Sequence, residues 1–283
     1  MAGAKWERVT VVSAEWVSNM RIGMVAAEPL LMQSRTARLK LFPDGWQFDL
    51  PWMRWNEPQV HAGWMSVYTS TTPGSAYTAQ SLRTQIQSAV EELVAAHKSA
   101  RPSVVLTGHS LGGALATLAG FDLAVNAVAG RDVPVTAFVF SSPMVGNLAF
   151  KDKVLQVPML KVMQTKIKDD PVPKVPGTIG YVAVNTAELE VQARNAKGLT
   201  FTPIKTLLSG QFHLHNIELL LYVVAGWNGL SKEFNLQVKS SLALVNKYTG
   251  LYKSPQVPEF WWKDKDKKGI VFDKNAQEWV FPK

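Results

Sequence analysis

Residues 108–112 read Gly-His-Ser-Leu-Gly and follow directly after a short apolar run at residues 104–106. The apolar run predicts a β-strand, and the small residues beyond the serine predict a helix that begins at Leu111. A strand that turns at once into a helix strains the backbone at the junction, and bulky flanking side chains would collide there. The pattern therefore predicts a sharp turn that holds the Ser110 hydroxyl up at its tip.

A turn of this kind is a nucleophile elbow, the arrangement that serine hydrolases use to expose their nucleophile. The first N–H groups of the following helix are unpaired, and the positive end of its dipole points at the place where an oxyanion would form. We expect the Leu111 N–H to be the first oxyanion donor. The bare five-residue pattern is frequent by chance, so the interpretation depends on its context and on partners for the serine.

Serine is a weak nucleophile at neutral pH and needs a histidine base, which a carboxylate must orient. In α/β hydrolases the chain order is serine, acid, histidine. Of the five histidines, only His213 and His215 follow the elbow. Both lie just before the apolar run 217–226, so spacing alone leaves the choice open. We expect the other three to lie on the surface, in the core or inside the elbow: His61, His97 and His109.

Two adjacent acids, Asp169 and Asp170, follow an apolar run at residues 159–163 that predicts a strand. The proline at position 171 restricts the preceding residue to extended backbone, which favours Asp170 over Asp169 as the acid. Without the elbow, Asp-Asp-Pro would indicate an ordinary solvated turn. Two other downstream acids are poorer candidates, because one falls in the elbow helix and the other in the turn after it: Asp122 and Asp132.

Helical and apolar segments alternate through the middle of the chain. This alternation predicts an α/β fold with a mostly parallel sheet flanked by helices, whose functional loops lie at the C-terminal ends of the strands. Residues 181–191 alternate as in an antiparallel pair, and residues 217–226 predict an apolar helix that a glycine caps. Before residue 181, the pattern predicts a helix over 80–100, the elbow helix to about residue 130, and strands at 104–106, 135–140 and 159–163.

The 283 residues, 47% of them hydrophobic, are enough for one large α/β domain. No repeat or long Pro-, Ser- or Gly-rich linker divides them. We therefore expect a single domain over 1–283, with a divergent or truncated N-terminal part at 1–60, a catalytic core at 61–230 and a C-terminal extension at 231–283.

The chain has no cysteine, which excludes disulfides and thiolate metal sites and suits the cytoplasm. Its start lacks the layout of a signal peptide, and no apolar stretch reaches the roughly 18 residues that a membrane-spanning helix needs. The sequence thus predicts a cytoplasmic protein.

The formal net charge of +8 would suit nucleic acid, an anionic membrane surface or an acidic substrate. Nucleic acid is disfavoured because the basic residues are scattered and no nucleic-acid motif is present. Ten tryptophans are many for this length. Most would fill a core, while an exposed set around a cleft would suit a lipid interface. We expect at most peripheral contact with an anionic membrane and no obligate protein partner.

Four segments of the chain form a recognisable set: the elbow, the Phe-Ser-Ser-Pro segment, the Asp-Pro-Val-Pro segment and the His-Asn-Ile-Glu segment. With a C-terminal tail, they are residues 108–116, 138–147, 170–177, 215–229 and 257–269. On these segments the chain, from about Val60 to the C-terminus, resembles the plant type II phospholipase A1 proteins, in the class 3 lipase group of α/β hydrolases.

Carried over residue by residue, the resemblance makes Ser110 the nucleophile, Asp170 the acid and His215 the base, and so selects His215 over His213. It implies the α/β-hydrolase fold of class 3 lipases. It also implies hydrolysis of the sn-1 acyl ester of phospholipids through an acyl-enzyme, in the cytoplasm, without metal or cofactor.

Two departures from the family pattern matter. Family members carry a further N-terminal portion, so we expect the sheet to be incomplete on that side. The family also has an Arg-Gly-Thr motif before the elbow, whose last residue completes the oxyanion hole. This chain reads Arg8, Val9, Thr10, which assigns the second donor to Thr10 but puts a stiff β-branched residue where glycine is expected. Loss of one donor would cost about 10²–10³ in rate.

Two alternative functions therefore stay open. One is a catalytically silent relative that binds a lipid or a partner protein without turnover. The other is a lipase of neutral lipids or galactolipids, which would share the triad and differ only in the groove for the acyl chain.

Overall fold

The computed structural model describes residues 56–74, 78–100, 102–177, 180–193, 214–229, 233–236, 271–275 and 278–280. The chain divides into two compact units, Met1–Thr165 with Pro173–Leu189, and Lys166–Val172 with Glu190–Lys283. The single-domain organisation expected for 1–283 stays a prediction.

Helices and strands alternate from residue 82 to residue 167, after a first helix and before a last strand. The elements are α1 (Ala62–Thr69), α2 (Leu82–Ala96), β1 (Val104–His109), α3 (Leu111–Val125), β2 (Val135–Phe140), α4 (Leu148–Leu155), β3 (Leu160–Ile167) and β4 (Ala187–Val191). Strands β1, β2 and β3 pair in parallel, in the sheet order β1-β2-β3-β4. The parallel sheet confirms the α/β class predicted from the sequence.

The elbow helix α3 lies at the centre of the first unit and is buried from Gly112 to Leu123. It packs against β1 and β2, where fully buried side chains alternate with half-buried or exposed ones, as the two-residue period of a strand requires. A Cβ at Gly120 would come within 3.2 Å of the Leu160 side chain, which shows how closely the helix approaches the sheet. The small residues of this helix therefore set its distance from the strands that carry the site.

Helix α3 ends at Val125, earlier than the sequence pattern predicts. Asn126 closes it by donating its side-chain Nδ2 to the backbone carbonyl of Asp122 at 3.0 Å. Ala127 then adopts a positive φ of 51° and Gly130 one of 108°, neither of which a helix permits. The residues beyond Val125 thus form a turn with helix-like composition.

The alternating segment 181–191 also differs from its pattern. Only its second half forms a strand, β4, beside β3 in the sheet order. Its first half makes a single antiparallel bridge between Val182 and Gly146. The alternation thus reflects two different environments, because the segment contacts the loop after β2 before it reaches the sheet.

In the second unit, helix α5 (Ile217–Gly226) has the predicted bounds, and a hairpin is formed by β5 (Val271–Asp273) and β6 (Glu278–Val280). The predicted glycine cap of α5 is wrong. Gly226 is the last helical residue, and the C-cap is Trp227, with φ −76° and ψ 120°. A Cβ at Gly226 would collide with the Phe234 ring, so this glycine serves close packing.

Within the described ranges, no helix combines the length and apolar character required to cross a bilayer.

Candidate active site

Ser110 occupies the junction between β1 and α3 with φ 58° and ψ −129°. A positive φ is uncommon for a residue with a side chain and marks backbone strain. The Ser110 N–H donates to the Phe140 carbonyl at 2.9 Å, and its own carbonyl accepts the Gly113 N–H at 2.9 Å. Its hydroxyl does not cap the helix. The strained turn predicted from the sequence is therefore confirmed.

Gly108 and Gly113, on either side of the serine, must be glycines because neighbouring groups lie too close to their Cα atoms to admit a side chain. A Cβ at Gly108 would collide with the carbonyl of Gly112 one helical turn further on. A Cβ at Gly113 would lie 2.7 Å from the Cβ of Ser142, in the loop after β2. Leu111 is the first helical residue, so its N–H has no intrahelical acceptor and is available to an oxyanion.

Asp170 lies in the turn after β3 and is only 1% exposed, whereas Asp169 is exposed and adopts a positive φ of 70°. The Asp170 N–H donates to the Ile167 carbonyl at 3.2 Å. Its Oδ1 accepts the Val172 N–H at 3.0 Å. Asp169 is thus exposed at the end of the strand, whereas Asp170 is buried and already accepts one hydrogen bond through Oδ1.

His215 lies just before α5, and its Nδ1 is 3.0 Å from Oδ2 of Asp170. The histidine side chain is 16% exposed and the aspartate side chain is completely buried. With Nδ1–H donating to the carboxylate, Nε2 is the ring nitrogen that can accept and return a proton. His213 lies outside the described residues.

The structure thus brings the predicted acid and base together within the second unit, while Ser110 belongs to the first. Their catalytic roles remain predictions. Thr10 also lies outside the described residues. Among the described side chains, no group of three or more His, Asp or Glu residues could hold a metal ion.

Asn216 is a residue that the sequence reasoning did not single out. It is the N-cap of α5, and its Oδ1 accepts the N–H groups of Glu218 at 2.8 Å and Leu219 at 3.2 Å. An asparagine directly before an apolar helical run is a recognised start signal that could have identified it. Asn216 directly follows His215, the predicted base, so its cap bears on the site.

Asp122, set aside as a catalytic acid, is instead the hub of a buried network. Its carboxylate accepts bonds from the Tyr68 hydroxyl at 2.9 Å, Arg83 at 2.8 and 2.9 Å, Gln87 at 3.0 Å and Asn126 at 2.7 Å. Burial and the neighbouring carboxylate raise the pKa of Tyr68, and the hydrogen bond to Asp122 raises the pKa of Arg83. The network ties the elbow helix to α1 and α2.

His61 is buried and caps α1, its Nδ1 accepting the N–H groups of Gly63 at 3.1 Å and Trp64 at 3.4 Å. It stacks on the Trp64 ring with centroids 4.4 Å apart, and the Tyr181 ring lies 5.7 Å away. Burial lowers the pKa of His61 to about 4. His61 is therefore a neutral structural residue, as expected for a histidine before the elbow.

The model of the class 3 lipases, "Lipase (class 3)", matches residues 6–179. Phospholipase A1-II 5 of Oryza sativa subsp. japonica is 37% identical over 278 residues, which cover 96% of this chain and 54% of the rice protein. Phospholipase A1-IIdelta of Arabidopsis thaliana is 36% identical over 275 residues, which cover 96% of this chain and 64% of that protein. The chain thus spans between about half and two thirds of these relatives.

Among solved structures, the triacylglyceride lipase of Rhizomucor miehei is 20% identical with a TM-score of 0.42, covering 62% of this chain and 54% of that one. The family match and the curated relatives confirm the resemblance to plant type II phospholipase A1 proteins and the class 3 lipase type of the fold. The match begins at residue 6, so the resemblance also extends upstream of Val60.

Proposed function

We propose that this chain, which belongs to the class 3 lipase family, is a serine acylhydrolase that cleaves the sn-1 acyl ester of phospholipids. The observation that carries the proposal is the strained serine at the strand–helix junction, together with a buried carboxylate bonded to a histidine. The names of the rice and Arabidopsis relatives support a phospholipid as the substrate.

In the proposed mechanism, Ser110 Oγ attacks the ester carbonyl while His215 Nε2 accepts the hydroxyl proton. Asp170 holds the ring in the tautomer with hydrogen on Nδ1 and stabilises the imidazolium. The Leu111 N–H and Thr10 stabilise the oxyanion of the tetrahedral intermediate. Collapse of this intermediate expels the alcohol of the lysophospholipid, which takes the proton from His215 and leaves the acyl chain on Ser110.

Water then completes the reaction by the reverse proton movements. His215 removes a proton from a water molecule that attacks the acyl-enzyme, and returns it to Ser110 Oγ as the fatty acid leaves. No redox step or external electron source is involved. The two half-reactions therefore need only groups of this chain, water and the ester.

A phospholipid with different labels on its two acyl chains tests the proposal. We expect release of the sn-1 label by the wild-type protein and no release of either label by Ser110→Ala. Preferential cleavage of triacylglycerol or galactolipid would make the chain a lipase of those substrates. A folded protein that releases no acyl chain and does not react with a fluorophosphonate would be a catalytically silent binding module.

We also propose peripheral contact with anionic membrane surfaces, which the net charge of +8 supports, and a cytoplasmic location, which the absence of cysteine supports. Co-sedimentation with vesicles of anionic and of zwitterionic phospholipid at two salt concentrations tests the first. Binding that is equal for both vesicle types and insensitive to salt would contradict it.

A further inference from the structure

We propose that Asn216 is a positioning residue for the general base, holding the backbone beside His215 so that the imidazole stays on Asp170. The inference rests on the proposed function, since it assigns a task to a residue that supports the proposed base. It concerns a side chain that does not itself contact the reacting atoms.

Several hydrogen bonds fix residue 216. Its side-chain Oδ1 accepts the N–H groups of Glu218 and Leu219, and its backbone carbonyl accepts the Leu220 N–H at 3.0 Å. Together they hold its backbone at φ −76° and ψ 122°. Because a planar peptide bond joins His215 to this residue, the cap fixes the position of the peptide plane next to the His215 Cα.

The bond between the imidazole and its acceptor depends on the position of the His215 backbone. His215 Nδ1 lies 3.0 Å from Asp170 Oδ2, and the acceptor belongs to a different segment, the turn after β3. If the first turn of α5 frays, the backbone that carries the imidazole is no longer held in place from its own side. A misplacement of about 1 Å in a catalytic group can cost about 10²-fold in rate.

The amide nitrogen of the Asn216 side chain is not needed for the cap. Asn216 is 8% exposed, and its Nδ2 is buried without a hydrogen-bond partner in the described part of the chain. A buried donor without a partner is a cost to stability. Serine and aspartate also cap helices but lack this donor, so both should preserve the cap.

The test compares Asn216→Ala, which removes the cap, with Asn216→Ser and Asn216→Asp, which keep it. Ser81→Ala is the matched control, because Ser81 caps α2 by accepting the Thr84 N–H at 3.1 Å in the other unit. Melting temperature, kcat and KM on phospholipid are measured for each. All rates are compared at one pH.

We expect both alanine variants to melt at lower temperature. Per folded molecule, Asn216→Ala should lose about 10- to 100-fold in kcat with KM little changed, whereas Ser81→Ala should keep its kcat. Asn216→Ser and Asn216→Asp should recover most of the lost kcat. Equal kcat for Asn216→Ala and the wild type, or equal losses in both alanine variants, would overturn the proposal.

A measurement without substrate separates this proposal from the proposed function. The Nδ1 proton that His215 shares with Asp170 should give a low-field NMR resonance, identified by its loss in His215→Gln. We expect it in the wild type and in the two cap-retaining variants, and expect it broadened or absent in Asn216→Ala. Its persistence in Asn216→Ala would refute the positioning role even if the wild type proved inactive on every lipid.

Discussion

The carboxylate of Asp170 bonds His215 Nδ1 through Oδ2 at 3.0 Å and the Val172 N–H through Oδ1 at 3.0 Å. Both carboxylate oxygens therefore accept a hydrogen bond. This arrangement favours the histidine tautomer with hydrogen on Nδ1, which is the tautomer that a general base requires.

Asp170→Asn should lower kcat by about 10⁴-fold, because the amide cannot stabilise an imidazolium and can hold the wrong tautomer. The fold should survive, since the amide oxygen can still accept the Val172 N–H. Steady-state kinetics on a phospholipid and circular dichroism check these two statements. Asp169→Asn is the matched control, and we expect it to keep its kcat because Asp169 is exposed. A loss of less than tenfold in Asp170→Asn would contradict the assignment.

Gly108→Ala should prevent the elbow from forming, because the new Cβ collides with the backbone of Gly112, which no side-chain movement can relieve. We expect a loss of more than about 3 kcal/mol or failure to fold. Gly120→Ala, in α3, comes closest to the flexible ends of two side chains, Leu160 Cδ1 at 3.2 Å and Leu106 Cδ1 at 3.4 Å, and the gain in helix propensity limits its cost to about 1 kcal/mol. Thermal melts of the two variants measure the contrast, and equal melting temperatures would refute it.

Arg83→Met should destabilise the protein by about 2 kcal/mol, because it removes the charge partner of a fully buried carboxylate. This loss of stability is smaller than that expected for a fully buried ion pair, because the Arg83 side chain is 30% exposed and solvent screens its charge. Arg131→Met, on the exposed surface, should change stability by less than about 0.5 kcal/mol. Denaturant unfolding measures both, and a change in Arg83→Met no larger than in the control would show that the network is dispensable.

Stability should fall as the pH drops from about 6.5 to about 4 because of His61. Its pKa is lowered by burial to about 4, so in this range the unfolded chain binds a proton that the folded chain does not. The contribution of neutral His61 to the free energy of unfolding is fully present above the pKa of histidine in the unfolded chain. About 2 kcal/mol of it is lost between pH 7 and pH 5.

His61→Asn keeps a neutral cap for α1 and should flatten this part of the stability profile. His97→Asn, which changes a half-buried histidine at the end of α2, serves as the control and should leave the profile as steep as in the wild type. Melting temperatures across the pH range test the difference. The same slope in His61→Asn and the wild type would assign the acid sensitivity to other groups.

Local features of this chain could be predicted because their causes are local. The elbow follows from glycines that a tight turn requires, and the bounds of β2 and α5 follow from apolar runs of fixed length. The sequence pattern did not show where α3 ends, because its end depends on the Asn126 side chain bonding Asp122. Gly226 was assigned to a cap because the sequence does not show that Phe234 packs on it.

The parts of the site that join distant segments were harder to predict. Asp170 and His215 are 45 residues apart, and the choice of His215 over His213 came from family resemblance, since spacing left both open. The Asp122 network was missed because its donors come from two other helices and from Asn126 beyond the end of α3, and no single segment of the sequence displays it. Contacts of this kind depend on how helices pack, which a linear pattern does not encode.

Reaction with a fluorophosphonate, followed by intact-mass analysis and peptide mapping, tests the central claim most directly. We expect one adduct per wild-type molecule, located on Ser110, no adduct on Ser110→Ala, and strongly slowed labelling of His215→Ala and Asp170→Asn. Labelling of Ser110→Ala at the wild-type rate, or an adduct on another residue of the wild type, would contradict the account of this chain as a serine hydrolase built on that elbow.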